Sequence, residues 1–165
     1  LDLITERTAA AGLHRYEVSA YARDGHRCGH NLNYWQFGDY LGLGAGAHGK
    51  LSFAHRVMRT VRWRDPQRYV ESALAGRAIA QADEVRRAEL PFEFMLNALR
   101  LKAGVPVAAF TQRTGLPPSA IEKNLQIAQD QGLLEPDAAV IRPTAKGFDF
   151  LSDLQSLFLP ESAPT

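Results

Sequence analysis

Cysteine is nearly missing from this chain: Cys28 is the single thiol in 165 residues. No internal disulfide can form, and a chain without disulfides fits a reducing compartment, so a cytoplasmic location is expected. Long hydrophobic runs are also missing. None approaches the ~20 apolar residues that span a bilayer. No basic segment leads into an apolar one at the start, so no signal peptide is expected there. Nor is there an excess of one charge: 19 Lys and Arg meet 18 Asp and Glu, for a net charge of +1, while 45 % of residues are hydrophobic. Disorder needs high net charge and low hydrophobicity, and neither holds. The length suits one ordinary domain or two small ones.

The first residue is not Met. Leu1-Asp2-Leu3-Ile4-Thr5-Glu6 reads as the interior of a longer chain. Leu3, Ile4 and Ala11 share one side at helical spacing, and Gly12 suits the helix end. The partner of this apolar stripe is expected upstream.

What is there is unevenly spread. All five His lie between His14 and His55. Eight Arg (56, 59, 62, 64, 68, 77, 86 and 87) face Asp65, Glu71, Asp83 and Glu84, an excess of four positive charges in that stretch. From Val105 to Arg142 the balance is one negative charge.

Alternation over Arg15 to Tyr21 predicts a strand, with Tyr16, Val18 and Ala20 on one side and Glu17, Ser19 and Tyr21 on the other. Arg23 to Tyr40 is too polar and glycine-rich for a regular element. Lys50 to Phe53 and Val57 to Trp63 predict a hairpin. Asp65 and Pro66 open a helix with Tyr69, Val70, Ala73 and Leu74 as its buried stripe and Gly76 at its end. Ile79 to Glu89 reads as a connector or short helix, which places a domain boundary near residue 88, giving units 1–88 and 89–165.

Beyond it, Phe92, Met95, Leu96 and Leu99 stripe a helix that stops by Gly104. Val107 to Thr114 is a second, ended by Gly115. Pro118 and Ser119 open a third with Ile121, Leu125 and Ala128 on one face. Leu133 to Glu135 and Val140 to Arg142 read as short strands. Thr144 caps a last helix bearing Phe148, Leu151, Leu154 and Phe158. Helix, helix, helix, hairpin, helix is a winged-helix order.

The chemistry-bearing stretch is His26-Arg27-Cys28-Gly29-His30-Asn31-Leu32-Asn33-Tyr34-Trp35. Imidazole and thiolate are both ligands for borderline metals, but a zinc site takes about four ligands in paired spacings, and no second His or Cys cluster exists. A haem iron needs only one or two axial ligands. His30 or Cys28 could supply one, with the rings of Tyr34 and Trp35 against a porphyrin. The plain reading is that these residues tie down a loop. Leu41 to Gly49 holds Gly42, Gly44 and Gly46. No amphipathic helix or Gly-Lys-Ser/Thr follows, so it is neither a dinucleotide fingerprint nor a P-loop. By itself it reads as a tight, packed turn.

Taken together, three blocks carry a resemblance. Tyr16-Glu17-Val18-Ser19-Ala20-Tyr21-Ala22, then His30-Asn31-x-x-Tyr34-Trp35, then Tyr40-Leu41-Gly42-Leu43-Gly44-Ala45-Gly46-Ala47-His48 stand in an order and spacing that resemble the radical S-adenosylmethionine haem chaperones, relatives of the oxygen-independent coproporphyrinogen III oxidases. Pro91-Phe92-Glu93-Phe94 and the helical end are similar to that family's carboxy-terminal domain. Family members often carry Asn where Ala20 stands.

The resemblance implies a parent with a partial (β/α) barrel that holds S-adenosylmethionine and a 4Fe-4S cluster. This chain would contribute the barrel's last strand and helices, with Glu17 and Ser19 toward the interior, followed by the winged-helix-like domain. The cluster motif Cys-x3-Cys-x2-Cys is absent here, and one thiol cannot replace the three or four that clusters generally use. It further implies haem at His30, Asn31, Tyr34 and Trp35, with His30 as iron ligand and Cys28 as rival. Gly42, Gly44 and Gly46 would lie near S-adenosylmethionine.

The implied function is haem binding and delivery to haem-accepting proteins, with the fragment alone not catalytic. The alternative is a coproporphyrinogen III oxidase, which resembles this chain less in the His30 to Trp35 block. A nucleic-acid-binding winged helix is a third reading, and no nucleic acid is expected. Its third helix should be basic, yet Ser119 to Gln131 holds Glu122, Lys123 and Asp130. The Arg-rich stretch suits a solvated face, haem propionates or peripheral contact with anionic lipid.

Overall fold

A computed structural model describes residues 2–160. Pro160 ends the described part, so most of the expected loose tail lies outside it. The chain mixes helices with short antiparallel strands.

Helix α1 (Asp2–Ala10) leads through Gly12, at φ 76°, into β1 (His14–Arg15) and β2 (Tyr21–Ala22). These two pair antiparallel, His14 with Ala22 and Arg15 with Tyr21. The continuous strand expected over Arg15 to Tyr21 is therefore a tight hairpin. Two side chains fold it back: the Arg15 guanidinium donates to the Val18 carbonyl at 2.6 Å, and the Glu17 carboxylate accepts from the Ser19 amide at 2.9 Å. Local side-chain bonds of this kind compete with an extended strand. Tyr16 and Glu17 are both buried, so the alternating in-and-out pattern does not hold.

Within the stretch expected to be irregular, α2 spans Gly29–Trp35. Then β3 (His48–Phe53) and β4 (Arg56–Arg62) form the expected hairpin, in register from His48 with Val61 to Phe53 with Arg56. Asp65 caps α3 (Pro66–Leu74), its side chain accepting from the Arg68 amide at 2.8 Å. The expected apolar stripe of α3 is not buried: Val70 is exposed and Leu74 is 86 % exposed. The expected connector contains β5 (Ile79–Glu84), which pairs with β4 to complete a three-stranded sheet. All six residues of β5 are exposed, so burial alternation could not announce it.

The carboxy-terminal helices hold the core. They are α4 (Leu90–Ala98), α5 (Val107–Thr114), α6 (Ser119–Asp130), α7 (Ala145–Asp149) and α8 (Leu151–Ser156). On α4 the buried face is Leu90, Phe94, Met95 and Ala98; Leu96, expected inside, is exposed. The single last helix is two, because Phe150 leaves helical geometry at ψ 43°. Between α4 and α5 lies β6 (Val105–Pro106), which sequence reading missed, paired with β7 (Val140–Ile141). Leu134 bridges Pro143, and the Glu135 amide donates to the Arg142 carbonyl at 2.9 Å, close to the expected strand pair.

Edge-to-face rings run through the interior: Phe37 against Phe94 at 5.7 Å, and Phe94 against Phe110 at 5.4 Å. The same buried cluster takes in Val57 from β4 and Phe158 beyond α8. Phe37 anchors the segment after α2 to these helices.

Candidate functional site

Helix α2 carries the His30-Asn31-x-x-Tyr34-Trp35 block, and the helical period sorts its side chains. His30 and Tyr34 are four apart and share a face. Their rings meet edge to face, centroids 4.8 Å apart at 71°. Tyr34 then lies against Tyr40, 4.2 Å away and tilted 35°. The three rings form one aromatic ledge. His30 is exposed, and no hydrogen bond from another described residue ties its imidazole down.

Asn31 and Trp35 turn inward. Asn31 donates from Nδ2 to the Tyr16 hydroxyl at 3.3 Å. Trp35 packs against the core, and the Arg100 guanidinium covers its ring at 4.2 Å. Arg100 also pairs with buried Glu17 at 3.4 Å. Trp35 Nε1 and Arg100 Nε are buried with no hydrogen-bond partner among the described residues. Cys28 is exposed at the N-cap of α2 and makes no side-chain capping bond. Among the described residues no group of three or more His, Cys, Asp or Glu is arranged to hold a metal ion. His26 hydrogen-bonds back to the Asp24 carbonyl instead, through Nδ1 at 2.9 Å.

The exit from α2 is pinned. Phe37 takes φ 56°, unusual for a residue with a bulky side chain. Its carbonyl accepts from the buried Lys50 ammonium at 3.0 Å, and that ammonium sits 3.9 Å from the Phe37 ring centroid. Lys50 also reaches Asp39 and Ser52, each at 3.0 Å. Burial lowers the Lys50 pKa below the usual lysine value, and the Asp39 carboxylate only partly offsets it. Burial works to raise the Asp39 pKa, but hydrogen bonds from the Ser52 amide and hydroxyl and from Lys50 outweigh it, leaving a net lowering. Gly38 belongs to the same joint: a Cβ there would lie 2.0 Å from Asn33 Oδ1.

The glycine-rich segment packs onto the sheet and α3. A Cβ on Gly42 would lie 2.5 Å from the His48 carbonyl oxygen, so only glycine fits. The Gly42 carbonyl accepts from Arg62 Nε at 3.0 Å. The Gly44 amide donates to the Tyr69 hydroxyl at 3.2 Å, and the Gly46 amide to the Trp63 carbonyl at 2.8 Å. These contacts account for the three glycines as a packed turn.

Beyond Tyr40 the ledge meets Arg59 of β4 and Glu93 of α4, which form an ion pair. Tyr40 bridges Lys50, which lies opposite Arg59; burial raises the Tyr40 pKa above the ordinary tyrosine value, and the Arg59 cation opposes that. Sequence reading missed Tyr40, Arg59, Glu93, Glu17, Lys50 and Arg100 as neighbours of the block. Tyr40, an aromatic directly before the glycine-rich run, was the one local signal.

Residues 85–150 match the family model described as the HemN C-terminal domain. The chain is 42 % identical over 153 residues to the haem chaperone HemW of Escherichia coli, covering 92 % of this chain and 39 % of that protein. It is 31 % identical over 166 residues to HemW of Bacillus subtilis, covering 97 % and 42 % respectively. Among solved structures, coproporphyrinogen III oxidase (HemN) from Escherichia coli, a radical SAM enzyme, matches with a TM-score of 0.66 at 14 % identity, over 95 % of this chain and 39 % of that one. That likeness shows the fold. The chain thus spans about two fifths of the length of the relatives it matches. With the histidine block, the glycine-rich turn and the helical end all in place, it belongs to the haem chaperone family related to the HemN coproporphyrinogen oxidases and corresponds to that family's carboxy-terminal portion.

Proposed function

We propose that this chain is the haem-holding part of a radical S-adenosylmethionine haem chaperone, which binds haem and passes it to haem-accepting proteins in the cytoplasm. One observation carries the reading: an exposed, unbonded imidazole at His30 stands edge-on to Tyr34 at 71°. A flat macrocycle bound through an imidazole nitrogen also stands across the imidazole plane. The Tyr34 and Tyr40 rings thus offer apolar faces in an orientation that suits it. Trp35 and Asn31 support this surface from behind, Trp35 as the apolar anchor and Asn31 through Tyr16. Bound haem would supply the transferable cargo. The protein's part is to ligate it, shield one face and leave the other open.

Cys28, exposed two residues ahead of His30, is the rival ligand, since thiolate also binds haem iron. The residues here do not fit a 4Fe-4S cluster, because a single thiolate cannot hold one; that group, with S-adenosylmethionine, belongs to the upstream part of the complete protein. The segment Gly42, Gly44 and Gly46 is assigned near S-adenosylmethionine on the resemblance alone, two of its amides being engaged inside the chain. The order α4, β6, α5, α6, β7, α7 supports a winged-helix-like unit, with β6 as the strand before its second helix. Its α6 is not basic, so no nucleic acid is assigned to it.

The test is His30→Ala in the protein at its natural full length. The expected result is loss or displacement of the Soret band with Tm unchanged within error, because the exposed ring makes no stabilising hydrogen bond. An intact Soret band and unchanged haem affinity would move the ligand to another residue. A changed band in Cys28→Ser would name it.

A further inference from the structure

The aromatic ledge ends on a charge pair that joins β4 to α4. Arg59 sits mid-strand on β4, opposite Lys50 of β3 and Asp83 of β5. Its guanidinium reaches across to Glu93 in the first turn of α4. Arg59 Nε is buried and has no partner among the described residues. A buried guanidinium N–H without an acceptor costs free energy. The guanidinium as a whole is not sealed off: its side chain is 36 % exposed, and that of Glu93 is 25 % exposed. This cation therefore has one carboxylate in place, one donor unmet and an open side.

Arg presents a planar fork of donors that matches a carboxylate in two parallel bonds. Glu93 itself is such a carboxylate, and a second one from outside could take its place or share the fork. The aromatic rings lead from His30 through Tyr34 to Tyr40, which bridges Lys50, the residue opposite Arg59, and so bring the ledge to the strand that carries this fork. A ligand lying along them would be flat and apolar over most of its area and acidic at its far edge. Haem has this character, with two propionate arms on one edge.

On the haem reading above, we propose that Arg59 is the carboxylate anchor of the site: it grips a propionate of the bound porphyrin, and Glu93 is the resting partner that it releases to do so. Arg59 then sets which edge of the macrocycle faces β4 and selects porphyrins with free acid arms over esterified ones. Glu93 competes with the ligand, keeping the guanidinium neutralised when the site is empty and favouring release when haem is handed on.

The experiment titrates the full-length protein with haem and with haem dimethyl ester, reading the Soret band, in wild type, Arg59→Gln and Glu93→Gln. Wild type should bind the ester about tenfold more weakly than haem, the scale of one charge-assisted hydrogen bond at a partly exposed position. Arg59→Gln should bind both at the affinity wild type has for the ester. Glu93→Gln should move the other way and bind haem more tightly, with ester binding unchanged. Because the two variants are expected to shift in opposite directions, loss of structure cannot imitate the pattern. If wild type binds haem and rejects the ester, and Arg59→Gln keeps the same preference, the anchor lies elsewhere and the haem reading stands. If wild type binds haem and ester equally, no propionate is gripped and the assignment falls. If wild type shows no Soret change with either ligand, the haem reading falls and takes this assignment with it.

Discussion

The helices after residue 90 and the sheet before them are held together in different ways. In α4, Phe94, Met95 and Ala98 are fully buried, and the helix interior is closed by rings meeting edge to face. Across the sheet, β5 has no buried residue, α3 buries none, and Leu43 and Leu74 are 79 % and 86 % exposed. The first region draws its stability from apolar area removed from water. The second draws it from ladder hydrogen bonds, a helix cap and stacking such as Arg68 on Trp63 at 3.5 Å. A chain can thus carry a rigid half and a lightly held half within two fifths of its family's length.

The contrast can be tested at three points, starting where the effect is largest. Phe94→Ala removes a fully buried ring that touches Phe37 and Phe110. It should cost about 3–5 kcal/mol in chemical denaturation, the usual range for a core Phe. A loss under about 1 kcal/mol would mean that the core is not what holds this half. Next comes the joint between the halves. Lys50→Met strands the Phe37 carbonyl and takes the cation from Asp39 and Ser52, which keep only each other, and should cost about 1–3 kcal/mol.

That joint also has a pH signature. Asp39 has its native pKa lowered, so it contributes stability above its ordinary range, and this is lost as pH falls through the native value. The acid limb of a stability-versus-pH curve should be shallower in Asp39→Asn. Lys50 has its native pKa lowered as well, so the unfolded chain holds its proton more tightly and stability rises with pH between the native and unfolded values.

The smallest effect belongs to the sheet side. Asp65→Ala removes the α3 cap and should cost about 1 kcal/mol. Leu74→Ala on the same helix should stay within about 0.5 kcal/mol, since the side chain is almost fully exposed. A large loss at Leu74 would mean that this face is covered in the complete protein.

The sequence made the helical half legible because α5 and α6 end on Gly115 and Gly132, both at positive φ, and because Ile121, Leu125 and Ala128 repeat at helical spacing. It made α3 legible through Asp65 and Pro66. It failed where burial is absent or local bonds override pattern. Exposed β5 carries no alternation. Arg15 and Glu17 fold a would-be strand into a turn. The histidine block was visible as a block, but its helical placement was not, because Gly29 and two Asn make α2 a poor helix by propensity. Arg59 and Glu93, 34 residues apart, meet only through the fold.

The joint at Phe37 and Lys50 also sets where α2 can give way. One end of the helix is fastened: Asn33 donates to the Asp39 carbonyl at 2.9 Å, Gly38 closes against Asn33, and Phe37 is locked into the core. The other end begins at Cys28 without a capping bond and is held by Asn31 on Tyr16. A seven-residue helix fastened at one end opens from the other, so amide exchange should run faster at Asn31 and Leu32 than at Gln36 and Phe37. His30 lies on the fraying turn. On the proposed haem reading, a ligand held at His30 would be let go by unwinding a single turn, at a cost set by that turn alone and with the core left shut.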